Sequence, residues 1–121
     1  MKRVVFLMMF FSMASQARDC ELTTKTLYEN SACLQDESFK SVSSAYSKMM
    51  GMLNSDTESQ KYLEQSEKTW IKYRDASCSL IDVARLDDET PNWFVYGNCI
   101  VEFNNARVAT LNRYIKLMQS Q

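Results

Sequence analysis

The chain has 121 residues and a formal net charge of -1, with no His, two Gly, one Pro and four Cys. This length allows one small domain, the absence of His removes the commonest general base and metal ligand, and so few Gly and Pro argue against the tight turns of an all-β domain. The chain also lacks the basic excess typical of nucleic-acid binding and has no glycine-rich phosphate loop.

The N-terminal segment has the pattern of a secretory signal peptide. Two basic residues precede an almost unbroken apolar run over residues 4–13, which is shorter than the ~20 residues that span a bilayer. Small residues at the -3 and -1 positions favour cleavage after Ala17. We therefore predict a leader at residues 1–17 and one domain at residues 18–121, which is periplasmic or secreted, has a formal charge of -3 and has no membrane span.

All four cysteines lie in the predicted mature chain: Cys20, Cys33, Cys78 and Cys99. An even number of cysteines in an exported domain predicts two disulfides. A zinc site of four thiolates is the weaker alternative, because the usual C-x2-C pairs are absent.

The first predicted helix follows an irregular arm at residues 18–25. Thr26 and Glu29 have the spacing of a capping box, in which each side chain accepts a backbone N–H from the other residue, so the helix begins there and runs to about Met50. The residues expected on its inward face are Cys33, Phe39, Val42, Tyr46 and Met49.

The second predicted helix begins near residues 55–57, with Ser55 or Thr57 as the cap, and no Gly or Pro interrupts it up to residue 90. The residues expected on its inward face are Tyr62, Ser66, Thr69 or Trp70, Tyr73, Ser77, Leu80 and Ala84.

The third predicted helix begins with Thr90 as the cap and Pro91 in the first helical position. Its inward stripe comprises Phe94, Cys99 or Ile100, Phe103, Arg107 or Val108, Leu111 and Ile115, although Gly97 weakens the first turns. Long helices joined by short loops predict an all-α fold, a small antiparallel three-helix bundle stapled by two disulfides.

The predicted hairpins bear on the disulfide pairing. Cys78 and Cys99 lie at similar distances on either side of the second turn, so they fall at the same level of an antiparallel hairpin. Cys20 reaches Cys33 if the arm folds back along the first helix. A crossed pairing, such as Cys33 with Cys78, stays open at this point.

The segment around Trp70, Tyr73, Arg74 and Asp75 is the densest in aromatic and charged residues. Such residues are enriched in binding hot spots, but an aromatic stripe at helical spacing more often lies in a core, with the arginine held by an acid or by a neighbouring helix. The same alternatives apply to Arg107.

Three consecutive acids, Asp87, Asp88 and Glu89, precede the third helix. They suit either a solvated loop that favours the positive end of that helix or a contact site for a basic partner. The other carboxylate pairs are local in sequence, and no serine has a histidine base, so the residues offer no catalytic constellation, cofactor site or metal site.

The order Cys20, Thr26-x-x-Glu29, Trp70-x-x-Tyr73-Arg74-Asp75-Ala-x-Cys78, Cys99 and Arg107 resembles the LprI-like family of bacterial secreted domains. The resemblance covers nearly all of residues 18–121, although residues 38–46 depart from a run common in the family. It implies a helical disulfide-linked domain that inhibits a lysozyme-type muramidase.

Two hypotheses of function follow. The first is a non-enzymatic binding protein that covers the cleft of a basic lysozyme, with Asp87, Asp88 and Glu89 as the contact loop. The alternative is an envelope adaptor, structural or immunity-type protein that binds another exported protein.

Overall fold

The computed structural model describes residues 14–85 and 89–121. These residues form four helices and no strand: α1 (Ala14–Thr23), α2 (Leu27–Met52), α3 (Thr57–Ala84) and α4 (Asn92–Gln119). The all-α prediction is confirmed. Across the described ranges, no helix combines the length and the apolar character needed to cross a bilayer. Most of the predicted leader lies outside the described residues, and its predicted cleavage site falls within α1.

The prediction of an irregular arm at residues 18–25 is wrong, because α1 continues to Thr23. This segment contains no Gly or Pro to interrupt a helix. The hydroxyl of Thr23 donates to the carbonyl of Asp19 at 2.8 Å, and Thr24 donates in the same way to Cys20. These bonds satisfy carbonyls at the end of α1.

The N-terminus of α2 is capped by Thr26, as the sequence predicts. The hydroxyl of Thr26 accepts the backbone N–H of Glu29 at 3.1 Å. The reciprocal bond differs from the prediction, since the Glu29 carboxylate accepts the N–H of Lys25 at 2.8 Å rather than that of Thr26. The helix therefore begins at the predicted residue with a modified capping box.

The caps of the other two long helices were predicted wrongly. Asp56, rather than Ser55 or Thr57, caps α3 by accepting the N–H of Ser59 at 2.9 Å, and a carboxylate there also favours the helix dipole. Pro91 is the N-cap residue of α4, so the helix begins at Asn92 and Thr90 lies outside it.

Both other long helices pack on α4. Contacts between α2 and α4 keep a constant offset of about 66 residues, as in Tyr28 with Trp93 and Ser38 with Asn104, so these helices run parallel. Pairs between α3 and α4 run in opposite senses along the chain, as in Cys78 with Cys99, so these helices are antiparallel. The first residues of α2 and α4 therefore lie at the same end as the last residues of α3.

Close approach of α2 and α4 depends on Gly97. This glycine is buried in α4, and a Cβ there would lie 3.1 Å from the hydroxyl of Ser31 and would clash with the amide of Gln35. Glycine, which weakens a helix in isolation, is here the residue that lets two helices meet.

The main apolar core joins all three long helices. It is formed by Val42, Ala45, Leu63, Val108 and Leu111. A second cluster surrounds the disulfide between α3 and α4 and contains Cys78, Cys99 and Ile100. The stripe predicted for the last helix is confirmed at its buried positions, whereas Phe39, predicted to face inward from α2, is exposed while Ser38 and Val42 are buried.

The inward face predicted for α3 is wrong. Tyr62, Tyr73 and Leu80 are 67%, 65% and 66% exposed. The buried residues are Leu63, Arg74 and Cys78, which lie one position further along the helix, a rotation of ~100°. The disulfide of Cys78 and the polar partners of Arg74 fix this orientation, and they leave an aromatic stripe on the solvent side.

Both predicted disulfides are confirmed. Cys20–Cys33 joins α1 to α2 with a Cα–Cα distance of 5.8 Å, and Cys78–Cys99 joins α3 to α4 with a distance of 5.6 Å. The crossed alternative is excluded because each cysteine of the proposed pair has its own partner.

Candidate functional site

A buried polar cluster joins the three long helices at their middle. On α3, Arg74 donates from Nη1 to Oδ1 of Asn104 at 3.1 Å and pairs with the carboxylate of Asp75 at 2.8 Å. On α4, the amide of Asn104 donates to the hydroxyl of Ser38, on α2, at 2.9 Å. Burying a guanidinium requires partners of this kind, so the cluster is a structural support.

A buried ion pair between Arg107 and Glu67 lies next to this polar cluster along the α3–α4 interface. Arg107 donates from both Nε and Nη2 to one carboxylate oxygen of Glu67, at 3.0 and 2.9 Å, and from Nη2 to the hydroxyl of Ser66 at 3.2 Å. The pair fixes the rotation of α3 against α4, because both side chains are largely buried.

Trp70 lies between the two arginines. The guanidinium carbons of Arg74 and Arg107 are 5.1 and 5.4 Å from the centre of its ring, within the range of cation–π attraction. Trp70 thus contacts both Arg74 and Arg107 at the helix interfaces. Tyr73, in contrast, lies on the surface, with its ring centre 5.8 Å from that of Phe103.

An exposed aromatic surface lies at the end of the bundle where α2 and α4 begin. The rings of Tyr28 and Trp93 meet edge to face with their centres 5.1 Å apart, and they are 61% and 36% exposed. Leu27 is also exposed, and Glu89 lies three residues before the start of α4. We call Leu27, Tyr28, Glu89 and Trp93 the basal surface.

Of the predicted acidic contact loop, the structure describes Glu89, which lies near this same end. Asp87 and Asp88 lie outside the described residues, and Glu89 is exposed. Arg85, at the end of α3, donates to the carbonyl of Thr90 and to the side chain of Asn92. These bonds join the end of α3 to the residues that precede and begin α4.

Among the described residues, the titratable groups with shifted pKa values lie away from this end. Hydrogen bonds from the side chain and backbone of Ser59 lower the pKa of Asp56. Burial raises the pKa of Tyr46, and the charges of Glu64 and Glu67 raise it further. Within residues 14–85 and 89–121, no group of three or more His, Cys, Asp or Glu side chains could hold a metal ion.

Comparison with known families places the chain. The model of the family described as lysozyme inhibitor LprI matches residues 17–111. The chain belongs to the LprI family. Searches among curated proteins and solved structures gave no match.

The residues matched by the LprI family include those that hold the domain together. The match covers both disulfides, the capping residues Thr26 and Glu29, the ion pair of Arg74 with the half-exposed Asp75, and the buried ion pair of Arg107. LprI proteins are described as inhibitors rather than enzymes, so family membership implies an inhibitor whose partner is a lysozyme. The family and the two disulfides are both consistent with an extracytoplasmic protein.

The sequence did not single out Tyr28 and Trp93 in this LprI chain. Each is the second residue of an observed helix, α2 or α4, and neither belongs to the inward stripe predicted for that helix. An antiparallel bundle implies that α2 and α4 run parallel, but the residue register between them was not predicted. This register brings the two rings together.

Proposed function

We propose that the mature LprI chain, residues 18–121, is exported from a bacterial cell and blocks the cleft of a lysozyme-type muramidase. It acts by binding alone, with no catalytic group or cofactor of its own. The family match over residues 17–111 is the observation that carries this proposal.

The construction of the domain supports a binding role. Two disulfides and a buried polar cluster cross-link its helices, so the surface is largely fixed before a partner arrives. A preorganised surface loses less conformational entropy on association, which favours tight binding.

The contact surface in this proposal is the basal surface together with Asp87 and Asp88. Tyr and Trp are among the residue types most enriched in binding hot spots, because each combines a large rigid ring with one polar group. Lysozymes of the vertebrate type are basic, so the adjacent acids would raise the rate of association by electrostatic steering. In this proposal the aromatic rings provide the binding affinity, and the acidic loop raises the rate of association.

Binding of the mature protein to an immobilised basic lysozyme tests this assignment. We expect Tyr28→Ala and Trp93→Ala each to weaken binding by about tenfold or more, mainly through faster dissociation. Tyr62→Ala is the matched control, because it removes an equally exposed tyrosine from the far half of α3. Equal affinity of all four proteins would contradict the proposed surface.

A second set of variants tests the acidic loop. Asp87→Asn, Asp88→Asn and Glu89→Gln together should slow association at low ionic strength and leave dissociation nearly unchanged. The difference from the native protein should vanish at high salt, where charges are screened. If association were unaffected at low salt, the loop would have no part in steering.

A further inference from the structure

An open groove of about 600 Å³ runs along the exposed side of α3, beside α4 and away from the basal surface. The exposed face of α3, which the sequence had predicted to face the core, forms most of the wall of this groove. Three aromatic residues, three small polar residues and one arginine line it: Tyr62, Gln65, Ser66, Thr69, Trp70, Tyr73 and Arg107.

Two exposed tyrosines stand on one side of the groove. Tyr62 and Tyr73 are separated by three helical turns, so they share a face and lie about 16 Å apart along the axis. Tyr73 is held by its edge contact with Phe103, and Trp70 is held between the helices by two arginines. Tyr73 and Trp70 are therefore fixed in place before any ligand binds, and Tyr62 lies exposed further along the same face.

Between these rings the groove carries polar side chains without net charge. Gln65, Ser66 and Thr69 supply amide and hydroxyl groups. Arg107 is the only charged residue among those lining the groove, and Glu67 neutralises it through two hydrogen bonds to one oxygen. The groove offers no net charge that would attract a strongly charged partner. An apolar helix bound there would bury the polar groups between the rings without hydrogen-bond partners, which costs free energy.

We propose that this groove binds the glycan strand of the bacterial cell wall. A pyranose ring offers an apolar C–H face, which packs on an aromatic ring, and a rim of hydroxyl groups, which pair with amides and hydroxyls. Two tyrosines whose backbone positions lie about 16 Å apart along α3, with neutral hydrogen-bonding groups between them, match an extended chain of such units better than a compact ligand. The groove would then hold the protein on the wall.

This inference does not depend on the proposed inhibition, since the two surfaces lie at different ends of α3. The experiment is co-sedimentation of the mature protein with purified peptidoglycan sacculi. We expect the native protein to sediment, and the double variant Tyr62→Ala/Tyr73→Ala to need about tenfold more sacculi for half-saturation. Tyr28→Ala, the matched control, should sediment like the native protein.

Salt separates glycan binding from adsorption through charge. Binding through a neutral groove should persist at high ionic strength, whereas adsorption of lysines to anionic wall groups should be lost. Circular dichroism should show native helix content in each variant. Native protein that stays in solution, retention of the double variant at the native level, or loss of binding in high salt would each overturn the proposal.

Discussion

Arg74 of α3 and Asn104 of α4 meet at 3.1 Å inside the bundle, where both side chains are buried. Asn104 also donates to Ser38 of α2, so one amide contacts both of the helices that pack on α4. The bonds have fixed directions, unlike apolar contacts, and therefore set the rotation of each helix about its axis. That rotation places the Tyr62–Tyr73 face on the surface.

Replacing Asn104 should destabilise the fold strongly. Asn104→Ala removes one hydrogen bond from Arg74 and one from Ser38 and leaves a buried cavity, while Arg74 keeps its pair with Asp75. We expect a loss of about 2 kcal/mol in the free energy of unfolding. Denaturant titration followed by circular dichroism measures the loss. Asn105→Ala, at an exposed position on the same helix, should change stability by less than about 0.5 kcal/mol. Similar losses in the two variants would contradict the role given to Asn104.

The buried pair of Arg107 and Glu67 should be strongly coupled. A double-mutant cycle of Glu67→Gln and Arg107→Gln should give a coupling free energy of about 2 kcal/mol. The exposed pair of Glu64 and Lys68 on α3 provides the comparison, and its cycle should give about 0.4 kcal/mol. Equal coupling in the two cycles would show that burial adds nothing to the Arg107 pair.

The two glycines should respond to alanine with opposite signs. Gly97→Ala places a methyl group against Ser31 and Gln35, and we expect a loss of about 2 kcal/mol. Gly51→Ala meets no atom within 4 Å inside α2, so better helix propensity should stabilise it by about 0.7 kcal/mol. Thermal unfolding of both variants checks this, and a stabilised Gly97→Ala would contradict the close approach of α2 and α4.

The cap of α3 should make stability depend on pH in the acid range. Hydrogen bonds from Ser59 hold the pKa of Asp56 below its ordinary value of 3.8. The ionised carboxylate of Asp56 stabilises the fold at pH values above 3.8. This contribution is lost as the pH falls through the lower pKa that Asp56 has in the folded state. Asp56→Asn keeps a capping oxygen but does not titrate.

The measurement is the denaturant midpoint of the native protein and Asp56→Asn over a series of pH values. We expect the native protein to be the more stable near neutral pH and the difference to shrink on acidification below 3.8. A difference that is the same at every pH would show that the Asp56 charge does not contribute.

Local patterns in the sequence predicted the all-α class of the fold and some of its helix boundaries. The spacing of Thr26 and Glu29 placed the start of α2, and hairpin geometry paired Cys78 with Cys99, while a crossed pairing of Cys33 stayed open. Both depend on interactions over short stretches of chain or on simple connectivity. The helical course of α1 was missed because the segment has weak apolar periodicity, and its disulfide to α2 is a tertiary restraint.

The candidate surfaces could not be predicted because they depend on helix rotation. On α3, the stripe of Tyr62, Tyr73 and Leu80 has the same spacing as a core face, and periodicity alone cannot say which of two stripes is buried. Arg74 and Cys78 decide it through partners on α4 that are distant in sequence. The contact of Tyr28 with Trp93 likewise requires the register of α2 against α4.

Inhibition of a basic lysozyme tests the central claim most directly. The mature protein is titrated into the enzyme, and the clearing of a cell-wall suspension is followed at low ionic strength. We predict that lysis stops near an equimolar ratio, and that Tyr62→Ala/Tyr73→Ala, which lacks the groove rings, inhibits equally well. Undiminished lysis in the presence of a large molar excess of the folded native protein would contradict the account.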